Sequence, residues 1–307
     1  EMLLGLVIVY LAVSVAIGLL AATRVHGVRD YVVAGRNLPL FVVTAMVFAT
    51  WFGAETVLGI SATFLEEGLA GLVSDPLGGA LCLVLFGLFF ARRLYRLDLL
   101  TLGDFFRLRY GRPVEVVLSL CIVLSYLGWV AAQITALGLV FDVISDGAID
   151  AETGMVIGTA VVLAYTLLGG MWSVAVTTFV QMLVIVGGLL YIAWIVTGLA
   201  GGAGTVVAHA WEAGRLDLRP EASPAGVLTW LGALLTLGFG SIPQQDVFQR
   251  ANSSADERIA VRGSVLGGLA YLAFATVPLL LAWSALLIDG AMVEAHLAED
   301  SQQILPT

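Results

Sequence analysis

Phe48-Ala-Thr-Trp-Phe-Gly-Ala-Glu-Thr-Val-Leu-Gly59 lies inside an otherwise apolar stretch, and its reading decides the fold. The flanks are too hydrophobic for a surface loop. The centre nevertheless holds Gly53, the carboxylate of Glu55 and the hydroxyls of Thr50 and Thr56. A second segment, Leu237-Gly-Phe-Gly-Ser-Ile-Pro-Gln-Gln-Asp246, has the same character, with two glycines and a proline followed by three polar side chains. Gly53 in the first, and Gly240 with Pro243 in the second, predict interruptions in two membrane helices. Within a bilayer, backbone groups released by such a break are tolerated only beside protein or a water-filled cavity. Freed carbonyls there offer hard oxygen ligands to a small cation, and freed N–H groups suit polar parts of a substrate. Two interrupted spans in corresponding places point to a transporter binding site, and a pair of plain Gly/Pro kinks is the alternative.

Composition supports the membrane setting. The 307 residues are 60% hydrophobic and only 12% charged, with a mean hydropathy of +0.99. That charged share is about half the usual one for a soluble domain. A soluble enzyme, a disordered tail and a collagen-like fibre are excluded. The net charge of -9 argues against a nucleic-acid partner. Cys82 and Cys121 sit in apolar stretches and read as small core residues. His26, His209 and His296 lie in or beside loops without ligand spacing, so they predict no metal site. No nucleophile–histidine pair or phosphate loop is present, and the chain does not read as an enzyme.

Working outward from the two interrupted segments, apolar runs predict an all-α membrane protein of about eight spans. Met2 to Ala22 is the first, and the second runs from about Leu38 to Phe64. The third covers about Pro76 to Ala91, and the fourth about Val116 to Phe141. Thr153 to Trp211 is uncharged throughout and too long for one crossing, so Gly169-Gly170 is its natural turn. The fifth span precedes that turn and the sixth covers about Trp172 to Thr197. The seventh is about Ala225 to Gln245 and the eighth about Gly263 to Ile288. The second and seventh spans, which carry the breaks, are five apart, the offset expected of an inverted repeat. Residues 1–22 are then an extra first helix, 38–197 a complete five-helix repeat, and 225–288 the first two helices of its inverted copy.

Arginines fix the orientation. Arg24, Arg29, Arg36, Arg92, Arg93, Arg96, Arg107, Arg109, Arg112, Arg250, Arg258 and Arg262 fall in one set of loops, and only Arg215 and Arg219 in the other. The first set is expected in the cytoplasm, with the N-terminus outside and the chain in the plasma membrane. Glu66, Glu67, Asp75, Asp142, Asp146, Asp150 and Glu152 then crowd the outer loops, where the simplest reading is a solvated face. The Arg-rich segment 92–112 also holds Leu99, Leu102, Phe105 and Phe106, and reads as an interfacial helix on anionic membrane lipid.

Four motifs carry a family resemblance. They are Asp30-Tyr-Val-Val-Ala-Gly-Arg-Asn-Leu-Pro39, Trp51-Phe-Gly-Ala-Glu-Thr-Val-Leu-Gly59, Gly169-Gly-Met-Trp-Ser-Val-Ala-Val-Thr177 with Gln181, and Ile242-Pro-Gln-Gln-Asp-Val-Phe-Gln-Arg250. In this order the chain resembles the sodium/solute symporter family. The resemblance implies a leucine-transporter-like fold of two inverted repeats, alternating access and sodium as the coupling ion, with no organic cofactor. It also implies sodium-binding backbone carbonyls at Ala49 and Phe52, completed by hydroxyls from a later helix. Gln302-Gln-Ile-Leu-Pro306 resembles the loop leading to that helix, so a single transmembrane domain, truncated at its end, is expected over 1–307. Thr178 stands where the family usually has Asp, and Thr177 and Thr178 are expected to line the sodium path as neutral oxygens or to bond back to their own helix.

The expected substrate contacts are Trp51, Glu55, Thr56, Trp129, Gln133, Ser241 and Gln244. Trp51 and Trp129 match two aromatic positions of the family's choline-transporting branch, whereas Gly79 and Gln244 replace two others. Gln133 shares a helix face with Trp129 four residues earlier. With Ser241, Gln244 and Gln245 it favours hydrogen bonding to a polar neutral or zwitterionic solute. An amino acid, a carboxylate, a sugar or a quaternary amine all remain open as the small-molecule substrate. Glu55 is the one ionisable group in mid-span, with gating, amine recognition, a proton-linked role and a structural tie as its options. Asp246 and Arg250, at i and i+4, read as a structural ion pair. A sensor input domain that reuses the transporter fold is the alternative function.

Overall fold

The computed structural model describes residues 2–299. In chain order its helices are α1 (Met2–Ala22), α2 (Val28–Val33), α3 (Leu40–Trp51), α4 (Ile60–Glu67), α5 (Gly79–Leu85), α6 (Arg92–Arg96), α7 (Leu102–Tyr110), α8 (Arg112–Ile144), α9 (Ala151–Leu199), α10 (Ala203–Glu212), α11 (Pro224–Gly240), α12 (Gln245–Asn252), α13 (Glu257–Phe274), α14 (Thr276–Ile288) and α15 (Gly290–Glu299). Among the described residues the only β-type pairing is an isolated bridge between Leu38 and Ser254. The Gln302–Pro306 motif lies outside the described residues.

Five helical segments are long and apolar enough to cross a membrane, and α11 with α12 makes a sixth if the two count as one span. The expected spans map onto them with two mergers. The 42-residue run Glu55–Arg96 contains the later part of the second expected span and all of the third. The chain turns within it at Asp75, whose φ of -137° and ψ of 127° are extended. Pro76 imposes this, because a residue before proline is driven out of the helical region. The 49 residues of α9 hold the fifth and sixth spans. As one straight rod they would be about 74 Å long, more than twice the hydrocarbon thickness. They divide at Gly170, with φ 49° and ψ -135°, as the Gly169-Gly170 pair predicts. A Cβ on Gly170 would lie 2.4 Å from the Tyr31 carbonyl oxygen, so the bend and the close approach both require glycine.

The described residues form two compact units. The first contains the chain through Val47, then Gly87–Gln181 and Pro243–Ser264. Its corner is built from the Asp30–Pro39 motif. Leu38 N–H donates to Ser253 O at 3.1 Å and Leu38 O accepts from Ala255 N–H at 3.0 Å. Arg36 pairs with Asp98 at 2.7 Å, stacks 4.5 Å over the Tyr95 ring, and Asp98 also takes Arg29 at 2.9 Å. Burial pulls the Arg36 guanidinium below its ordinary value. The α7 helix starts on a reciprocal Thr101–Asp104 capping box, and Leu99 and Leu102 pack on Phe248. Cys121, expected in the core, is exposed on α8, whereas Cys82 is buried as expected.

The second unit contains Phe48–Phe86, Met182–Ile242 and the chain from Val265. Its core joins Ile60, Phe64 and Leu65 of α4 to Val206 and Ala210 of α10, and to Leu279, Ala282 and Trp283 of α14. His209, expected in or beside a loop, sits on this short helix in the connection, and its Nδ1 accepts the indole N–H of Trp283 at 3.2 Å. The α11 helix packs against the Asp75 turn. A Cβ on Gly78 would lie 3.0 Å from Leu234 O, and one on Gly238 would lie 3.2 Å from Leu81, so glycines on both sides permit the approach.

Candidate functional site

The second unit contains the break expected in the second span. The α3 helix ends at Trp51, Phe52 and Gly53 leave the helix, and a π-helical turn resumes at Glu55–Gly59. Gly53 N–H donates to Trp51 O at 3.1 Å. In a continuous helix it would be aimed at the Ala49 carbonyl, so that carbonyl loses its ladder donor. Trp51 O receives a second donor, the Thr56 hydroxyl, at 2.7 Å. The break is thus held from inside by a side chain five residues ahead. Phe52, Gly53, Ala54 and Val57 form one wall of a cavity of about 400 Å³, faced by Val184, Ile185, Gly188, Leu189 and Ile192 of α9.

Two residues that the sequence reading passed over join this break. Asp75, expected on a solvated outer face, is half-buried, and its Oδ1 accepts the Tyr271 hydroxyl at 2.5 Å. Tyr271 is fully buried on α13, 3.3 Å from the Thr56 hydroxyl and with its ring 6.3 Å from that of Trp51. Trp51, Thr56, Asp75 and Tyr271 therefore form one connected polar cluster against the broken helix. Gly79 lets it close: a Cβ there would meet Trp51 Cε3 and Asp75 Oδ1, each at 2.9 Å. The Trp51 indole N–H is buried without a hydrogen-bond partner among the described residues. Glu55 is exposed on the π-helical turn and acts on Asp75 as a like charge. Asp75-Pro76 opening an apolar run is the one sequence signal that could have found the carboxylate. For Tyr271 there is none.

The remaining expected residues divide between the two units. Ser241 is buried just after α11 in the second. Gly240 is the last residue of α11, and the interruption falls on Ser241–Gln244, with Pro243 inside it. Proline has no N–H to continue the ladder, and Phe239 O instead accepts from Ile242 N–H at 3.3 Å. In the first unit Gln244 occupies the N-cap position of α12 without a side-chain capping bond, whereas Gln245 is committed elsewhere, accepting Leu102 N–H at 2.7 Å. Asp246 pairs with Arg250 at 3.8 Å and, more closely, accepts the Tyr126 hydroxyl at 2.6 Å. Trp129 is 46% exposed and meets Tyr126 edge-on at 6.4 Å, so packing on Tyr126 accounts for one edge only. Gln133 is half-buried on the same helix. Thr177 is buried and donates to Ser173 O at 2.7 Å, back-bonding to its own helix, and Thr178 is half-buried beside it.

The model of the sodium:solute symporter family matches residues 31–302. The human high affinity choline transporter 1 is 30% identical over 300 residues, which is 92% of this chain and 49% of that protein. The high-affinity choline transporter 1 of Caenorhabditis elegans is 30% identical over 270 residues, 87% of this chain and 45% of that protein. The osmoregulated proline transporter OpuE of Bacillus subtilis is 26% identical over 292 residues, 87% of this chain and 58% of that protein. The chain thus spans about half the length of these relatives. Among solved structures, a Na+-coupled sialic acid symporter in a substrate-bound outward-open state has a TM-score of 0.82 at 18% identity, covering 100% of this chain and 65% of that one. That likeness concerns the fold.

Proposed function

Because the chain belongs to the sodium:solute symporter family, we propose that it serves sodium-coupled uptake of a small polar organic solute across the plasma membrane, with its N-terminus outside. The observation that carries this reading is the helix break at Phe52 and Gly53, where a backbone carbonyl is released beside a cluster of polar side chains. In this reading Ala49 and Phe52 give sodium their carbonyls, and Thr177 and Thr178 lie on its way out. Trp51, Glu55, Thr56, Trp129, Gln133, Ser241 and Gln244 are the solute-contact candidates. Choline and proline, the solutes named for two relatives, both pair a cationic nitrogen with oxygen, and either is a reasonable first trial substrate.

A potential of 100 mV supplies about 2.3 kcal/mol for each charge moved inward, so one or two sodium ions concentrate a neutral solute strongly. Uptake by the protein in proteoliposomes is expected to need an inward sodium gradient and to rise when the interior is made negative. Equal uptake with potassium in place of sodium would remove the reading. Uptake sustained by a proton gradient alone would move the coupling role to Glu55.

A further inference from the structure

We propose that Asp75 is the counter-ion for an ammonium group on the transported solute, which docks against the indole of Trp51. The inference deepens the symporter reading and rests on it for the presence of a solute. Asp75 uses Oδ1 for the Tyr271 hydroxyl. Its Oδ2 has no hydrogen bond and no ion pair among the described residues. The unit around it has two arginines, Arg215 and Arg219, and no lysine, and Arg215 is occupied with Glu66 O at 2.5 Å. Glu55, on the neighbouring π-helical turn, is a further carboxylate and supplies no cation either. A half-buried carboxylate with one oxygen committed to Tyr271 and the other uncommitted is open to a cationic partner from outside the chain.

The surroundings define what that partner is. Gly79 lets the benzenoid edge of Trp51 approach the carboxylate where any side chain would separate them. An aromatic surface beside a carboxylate suits an organic ammonium, whose alkyl groups lie on the ring while its charge faces the acid. The opposite edge of the same indole presents the buried, unpartnered N–H. A buried donor without an acceptor is destabilising, so a solute with an oxygen near its ammonium group has a donor to meet if the indole edge opens to it. Tyr271, fully buried and hydrogen-bonded to Asp75 and Thr56, is a positioning residue that ties the carboxylate to the broken helix.

The test is equilibrium binding of choline to the purified protein in sodium buffer, read by tryptophan fluorescence and by competition with its uncharged tert-butyl isostere, in which carbon replaces nitrogen. Choline is expected to bind and the isostere to compete at least ~tenfold less well, a difference of about 1.4 kcal/mol. Asp75→Asn is expected to remove that preference by weakening choline alone, and Asp75→Glu to restore part of it. Competition by the isostere within about threefold of choline overturns the proposal on the native protein, whether or not the variants fold; a factor of that size is below 1 kcal/mol. So does an absence of choline binding. An Asp75→Asn protein with unchanged choline affinity but a raised half-saturating sodium concentration makes Asp75 an ion ligand and also overturns it. Choline binding that discriminates against the isostere, combined with uptake indifferent to sodium, leaves the inference standing and removes the symport reading.

Discussion

Gly170 and Gly53 are both glycines at helix interruptions, but they are held by different forces. At Gly170 the backbone is left-handed in φ and the Tyr31 carbonyl fills the space a Cβ would need. Gly170→Ala therefore meets strain and a clash with backbone that cannot rotate away. A loss of about 2 kcal/mol or more is expected. A fall in the midpoint of thermal unfolding in detergent would report it, and an unchanged midpoint would show that α9 bends without that contact. Gly53 instead lines the cavity beside the break and turns its N–H toward Trp51 O. Valine is well tolerated in lipid, so Gly53→Val is expected to insert normally yet to lose uptake. Native uptake kinetics in that variant would place the working break elsewhere.

Among the elements, α10 is a short helix in a connection that is anchored in the core of the second unit. Val206 and Ala210 enter the core of the second unit, and His209 accepts the N–H of Trp283, which is only 4% exposed. His209→Leu keeps most of the volume but leaves that N–H buried and unmatched, at a cost of about 1–3 kcal/mol. Faster hydrogen exchange confined to α10 and α14 is the expected signature. Exchange unchanged there would mean that the Val206 and Ala210 contacts hold α10 unaided. The broken elements follow the same logic from the opposite side. The α3 helix stops where Thr56 captures a carbonyl, and α11 stops where Pro243 has no N–H to give.

For the whole molecule, the distribution of arginine predicts that the loop after α8 faces outward and the loop around α7 inward. A membrane-impermeant thiol reagent applied to intact cells should label Glu152→Cys and spare Arg109→Cys, with Cys121 replaced by serine in both. Labelling of Arg109→Cys alone would invert the topology. The long apolar runs, the bend at Gly169-Gly170 and the breaks at Gly53 and Pro243 were legible in the sequence. They depend on span length and on Gly and Pro chemistry, both of which act within a few residues. The arginine bias was legible for the same reason, because it is counted loop by loop. Asp75 was not. Its sequence neighbours are those of an acidic outer loop, and only the fold turns it inward. Pro76 extends the chain there, Gly78 and Gly238 let α11 close over the turn, and Tyr271 reaches it from 196 residues away. A charge is assigned to solvent or to a site by what surrounds it. For Asp75 those surroundings come from segments far apart in the chain, so the sequence determined the spans and their breaks, and the tertiary structure alone decided which carboxylate stands beside the break.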